Sequence, residues 1–184
     1  VGRGKRGCGV AVVWRGRGAT VARDLYVSRH GVMFFDDPVA AFANLAASAA
    51  DNAQMVFSCF RAPAENAWAT KIAALVPSAP SGDPHAPGPF AFADPDRVKG
   101  ILTPAGWSDI AFEPVDFAGS GEDPVADALD FFGHIGPAAR AIRMLEGDAR
   151  IAFLSGLRKL AEQHLHDGAV RFAAAAWIVT AKKY

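Results

Sequence analysis

The chain has 184 residues, room for one domain with a substantial core and too little for two unless both are small. Its 19 basic and 19 acidic residues balance and 51% of it is hydrophobic, which excludes a highly charged disordered chain. Cys8 and Cys59 are the only cysteines and sit in no metal-ligand spacing, so neither a disulfide framework nor a metal site is expected.

The first 23 residues stand apart. They hold six basic residues, no acidic one and six of the 18 glycines. A formal G-x-G-x-x-G runs from Gly2 to Gly7, but only Val1 precedes it and the strand-like Val10 to Trp14 follows. A cofactor loop needs a strand before it and a helix after it to aim backbone N–H groups, so this match is not read as functional. Residues 1–23 are expected to be an atypical Arg/Gly-rich segment, disordered or translated in a shifted frame, and residues 24–184 an α/β domain. From Asp24 onward 13 basic residues face 19 acidic ones, which argues against a nucleic-acid surface on the body of the chain.

In chain order, Leu25 to Ser28 reads as a short buried strand. Asp37 and Pro38 supply a cap and a first-turn proline for a helix to about Ser48, with Phe42, Leu45 and Ala49 at helical spacing. Asp51-Asn52 breaks the pattern before a second buried strand, Met55 to Phe60. A strand, helix, strand order places the two strands parallel and predicts an α/β layer fold.

Trp68 to Val76 reads as a helix, Pro77 to Pro89 as a loop, Asp94 to about Ala105 as a capped helix and Ile110 to Phe117 as a strand. Val125 to Met144 is helical with an interruption at Gly136-Pro137. Asp148 to His166 is an amphipathic helix, and Val170 to Lys182 is a final strand after the Asp167-Gly168 turn. No stretch is apolar for long enough to cross a bilayer, so no membrane partner is expected and the cytoplasm is the expected location.

Four stretches in order, DLYVSRHGVMFFDDPVAAFANL (Asp24 to Leu45), VFSCFRAPAENAW (Val56 to Trp68), APGPFAFADPDRV (Ala86 to Val98) and AAAAWIVTAKK (Ala173 to Lys183), resemble one group of class I S-adenosylmethionine-dependent methyltransferases. The resemblance implies a Rossmann-like, mostly parallel sheet with its last strand inserted antiparallel. It aligns the strands read here with the fourth through seventh of seven. The first three strands, with their glycine-rich turn and ribose-binding acid, find no counterpart, so the chain is expected to be a carboxyl-terminal portion. The implied activity is methyl transfer from S-adenosylmethionine to a small-molecule acceptor. The alternative is a truncated, inactive form serving as an interaction domain, with self-association through an exposed sheet edge.

In an open α/β sheet ligands bind beyond the carboxyl ends of the strands, which points to Ser28 and Arg29 as cofactor-binding candidates. The plainer readings are a turn serine and a surface ion pair. His30 is a candidate general base or a loop histidine with a structural bond. Trp68 and Phe90, then Phe92 and Phe131-Phe132, are candidates for an acceptor pocket, although aromatics at such positions also form plain core. His164 and His166, placed two apart on a helix, diverge and are not read as a metal pair. Asp36-Asp37, Asp94-Asp96 and Asp127-Asp130 read as caps and solvated faces.

Overall fold

The computed structural model describes residues 22–76, 83, 85–118, 124–134 and 136–184. The chain divides into two compact units, each assembled from separate segments: 1–61, 84–115 and 176–184 form unit 1, and 62–83 with 116–175 form unit 2. Residues 1–21, and with them the Arg/Gly-rich segment, lie outside the described residues, as does most of the Pro77 to Pro89 loop.

Unit 1 is built on four strands. β1 (Arg23–Arg29) and β2 (Ala49–Phe60) flank α1 (Pro38–Ala47), and they pair in parallel, with Ser28 opposite Phe57. Asp37 caps α1 by accepting the Ala40 N–H at 3.0 Å, with Pro38 in the first turn, as the sequence predicts. Asp51-Asn52 does not separate helix from strand. It lies inside β2, with Asn52 in the left-handed region at φ 63, where the register against β1 shifts between Arg23 and Leu25. The break is absorbed as an irregularity because Ala49 and Ala53, on either side of it, are both buried.

The chain continues through α3 (Pro95–Leu102), capped by Asp94, into β3 (Ser108–Ala118). α3 ends at Leu102, short of the expected Ala105, because Pro104 follows and cannot extend the ladder. The last strand, β6 (Ala173–Lys182), is antiparallel to β2 and lies between β2 and β3, giving the order β1-β2-β6-β3. Ser108 Oγ donates to the Lys182 carbonyl and Phe112 meets Trp177 edge to face, so β3 runs opposite to β6 and parallel with β1 and β2.

The core of unit 1 forms on the sheet face bearing Tyr26, Met55, Phe57, Val179 and Ala181, against Phe42 and Ala46 of α1 and Val98, Ile101 and Leu102 of α3. Trp107 locks it by donating its indole N–H to the Phe42 carbonyl at 3.0 Å while meeting Tyr26 edge to face. Among the described residues β1 is an outer strand.

Unit 2 contains α2 (Ala67–Ala73), α4 (Pro124–His134), α5 (Gly136–Met144) and α6 (Gly147–Gln163). α6 is shorter than its periodicity suggested. Leu165 and His166 form β4 (Leu165–His166), which pairs antiparallel with β5 (Ala169–Val170). The connecting Asp167 and Gly168 have φ 50 and 71, the pair of left-handed residues that a two-residue hairpin turn matched to strand twist requires. His164 and His166 therefore belong to a helix end and a strand, not to one helix.

Candidate functional site

β1 and β2 are parallel, so their carboxyl ends lie at the same sheet edge, and three of the predicted residues follow one another there. Tyr26 and Ser28 are buried while Leu25 and Val27 are only partly so, the alternation expected of a strand with one core face. Ser28 is 6% exposed, and its Oγ has no hydrogen-bond partner among the described residues. A buried hydroxyl without a partner costs roughly 1–3 kcal/mol, so an atom supplied from outside the chain is the natural complement to it. Arg29, next along the strand, is exposed.

His30 leaves the strand at φ 48, in the left-handed region that histidine, like asparagine and aspartate, visits more often than other side chains, and Ser58 on β2 holds it there. The His30 backbone N–H donates to the Ser58 carbonyl at 3.1 Å and approaches its Oγ at 3.2 Å; the ring Nδ1 lies 2.9 Å from the same Oγ. Burial holds the imidazole below its ordinary pKa. The Ser58 carbonyl pulls the other way and the neighbouring Arg29 charge adds to the lowering.

The His30 ring lies on Phe60 at a centroid distance of 4.3 Å, and Phe60 meets Phe90 at 5.9 Å. Phe90 rides on a loop pinned at three points: Gly88 N–H to the Met33 carbonyl at 3.1 Å, and Arg97 to the carbonyls of Ala91 at 3.0 Å and His85 at 3.3 Å. Ser28, Arg29, His30 and Phe90 are thus all in unit 1, with Ser58 and Phe60 as members the sequence reading did not single out. A serine and a phenylalanine inside a buried-strand pattern carry no signal of their own.

Nearby, Cys59 is buried, its thiol 3.5 Å from the Phe92 carbonyl, and burial pushes its pKa up to about 12. It is therefore no nucleophile at neutral pH. Phe92 is 1% exposed and belongs to the core.

Trp68 belongs to unit 2, where it is 6% exposed and donates its indole N–H to Asn66 Oδ1 at 3.2 Å. Asn66 is fully buried. Its Nδ2 donates to the carbonyls of Ala62 and Ala175, and its Oδ1 also accepts the Ala175 N–H. Phe132 is buried edge to face with Phe172, on which His164 stacks at 4.3 Å; the side chain of Phe131 lies outside the described set. Among the described residues no cluster of three metal-ligating side chains occurs, and no helix is long and apolar enough to cross a membrane.

No family model and no curated protein matches the chain. Solved structures are similar to it in part. A Bacillus halodurans protein assigned as a methyltransferase is 12% identical over 88% of this chain and 70% of its own, with a TM-score of 0.44. YcgJ from Bacillus subtilis is 11% identical over 88% of this chain and 64% of its own, also at 0.44. Phosphoethanolamine N-methyltransferase 2 of Haemonchus contortus, solved with phosphomonomethylethanolamine and S-adenosylhomocysteine, is 11% identical, with a TM-score of 0.39, and this chain spans 33% of its length.

Proposed function

We propose that this chain is a methyltransferase-type α/β domain, acting in the transfer of a methyl group from S-adenosylmethionine to a small-molecule acceptor. The observation that supports this reading is the strand order. An antiparallel last strand inserted between β2 and β3, with β1, β2 and β3 parallel, is the arrangement that the resemblance of Asp24 to Lys183 implies for the fourth through seventh strands of such a sheet.

The residues at the carboxyl end of β1 fit a methyl donor on one further ground: Ser28 Oγ is buried and lacks a partner among the described residues, as a side chain awaiting a ligand atom would. Ser28 and Arg29 are the residues assigned to cofactor. The bound donor supplies a methyl group already activated by a sulfonium, so the protein's part is positioning, exclusion of water and, for a protonated acceptor, a base. Phe90, beside Phe60, is assigned to the acceptor. Trp68, its expected companion, has its N–H satisfied by Asn66 and little exposed surface, so the acceptor is placed against Phe90.

The test is calorimetric titration with S-adenosylhomocysteine of the wild type and of Ser28→Ala. Saturable binding is expected, weakened about 2–10-fold by the substitution, the worth of one neutral hydrogen bond. Ser28→Ala is expected to leave stability unchanged or slightly raised, since it removes a buried hydroxyl that bonds nothing among the described residues. Titration of the wild type without saturable heat would refute the reading and leave the chain as an interaction domain.

A further inference from the structure

α2 is held within unit 2 at both ends, by bonds of different kinds. At its start Asn66, an amide that does not titrate, bonds the N–H and the carbonyl of Ala175. In its last turn Lys71 reaches His164, the residue that ends α6, with Lys71 Nζ 2.7 Å from His164 Nε2. Leu75, four residues on, packs against α6 at Gly156, where an added Cβ would lie 3.4 Å from a Leu75 methyl.

The partners of the His164 ring fix its state by geometry. Nδ1 lies 2.9 Å from the Leu160 carbonyl, which can only accept, so Nδ1 carries the hydrogen. An ammonium can only donate, and lysine is ordinarily much the stronger base, so Nε2 presents its lone pair to Lys71. The ring also stacks on Phe172 at a centroid distance of 4.3 Å, and the His164 carbonyl accepts the Arg171 N–H at 2.9 Å. A neutral imidazole thus joins α2, α6 and the segment between β5 and β6. A second hydrogen, placed on Nε2, removes the acceptor and sets two cations against each other. Among the described residues Lys71 of α2 is the charged side chain that meets the ring. α6 offers it a carbonyl, the β5–β6 segment offers the uncharged Phe172, and Phe132 of α4 packs edge to face on Phe172.

We propose that His164 is a proton-controlled clasp on the last turn of α2. The neutral Nδ1–H tautomer holds Lys71. Protonation at Nε2 breaks that bond and releases the last turn of α2 from the end of α6, while Asn66 keeps the start of the helix anchored. The device uses none of Ser28, Arg29 and Phe90 and stands apart from the methyltransferase reading.

Two measurements on the full chain test this. Nitrogen-15 spectra, with the His164 signals identified by their loss in His164→Gln, are expected to show Nδ1–H and a bare Nε2 while the ring is neutral, and they give the pH at which it protonates. Hydrogen exchange, expressed as protection relative to the unfolded chain at each pH, reads the clasp at Ala74, Leu75 and Val76, whose amides bond to the Thr70, Ile72 and Ala73 carbonyls. As His164 protonates, protection at these amides is expected to fall roughly 2–5-fold in the wild type, what one exposed polar contact contributes. The Ala175 amide, bonded to Asn66, is expected to keep its protection over the same range, and in Lys71→Met the step at the end of α2 is expected to vanish. An Nε2–H tautomer in the wild type, protection that does not change as His164 protonates, or an equal step in Lys71→Met would overturn the proposal. So would a simultaneous loss at Ala175, which marks unfolding of the whole unit rather than release of one helix end.

Discussion

Asn66→Ala is expected to be the most damaging single substitution in unit 2. The side chain is fully buried, and its partners include the Ala175 N–H at 3.0 Å, the Ala175 carbonyl at 3.2 Å, the Ala62 carbonyl at 3.1 Å and the Trp68 indole N–H at 3.2 Å. Two donors converge on Oδ1 and two acceptors on Nδ2, so the amide orientation follows from the partners. Ala175 is part of β6 and lies 109 residues away, so Asn66 ties the start of that strand to the beginning of α2 inside one unit. Truncation orphans two buried N–H groups and at least one carbonyl at about 1–3 kcal/mol each, and partial relaxation brings the expected loss to roughly 3–5 kcal/mol. Asn66→Asp is expected to be no better, because a carboxylate cannot donate to two carbonyls and brings a buried charge. Urea denaturation gives the global loss, and hydrogen exchange at the Ala175 amide gives the local one. An Asn66→Ala protein within about 1 kcal/mol of wild type, with the Ala175 amide still protected, would refute the reasoning.

Trp107→Phe is expected to cost about 1–3 kcal/mol by chemical denaturation, since it removes the bond to the Phe42 carbonyl and leaves a void beside Tyr26. Gly168→Val places a β-branched residue at φ 71 and is expected to cost roughly 1–2 kcal/mol, whereas Asp167→Asn, which keeps a residue at home at φ 50, is expected to cost far less. In a Cys8→Ser background the Cys59 thiol is expected to stay unreactive toward a disulfide reagent at pH 8 until the chain unfolds; fast labelling of the native protein would contradict its burial. The same thiol sets a sign for alkaline stability. Its folded pKa, about 12, lies above the ordinary 9.0, so stability is untouched below pH 9 and falls between there and 12, where the unfolded chain alone releases the proton. A Cys59→Ala protein with the same alkaline slope would show that other groups dominate.

The sequence by itself determined the layered α/β character, because its apolar runs alternate with helical spacing, and the Asp and Pro pairs at Asp37-Pro38 and Asp94-Pro95 place both helix starts through bonds within a few residues. The Asp167-Gly168 turn was legible for the same reason, although its strands were not: two-residue strands have no periodicity to read, so Leu165 and His166 read as the end of a helix and Val170 as the start of the last strand. Composition left Ser28 open between a turn and a ligand contact. What the structure adds is that Ser28 is buried on β1 opposite Phe57, with no partner for Oγ among the described residues. Ser58 and Asn66 left no mark in the sequence because their roles lie in partners 28 and 109 residues away. The slot that β6 takes between β2 and β3 came from resemblance alone, not from local pattern. Local propensity decides where a strand begins and ends. Which neighbours it pairs with, and which polar atoms end up facing each other at the sheet edge, is decided by long-range contacts that form only when the whole chain is folded.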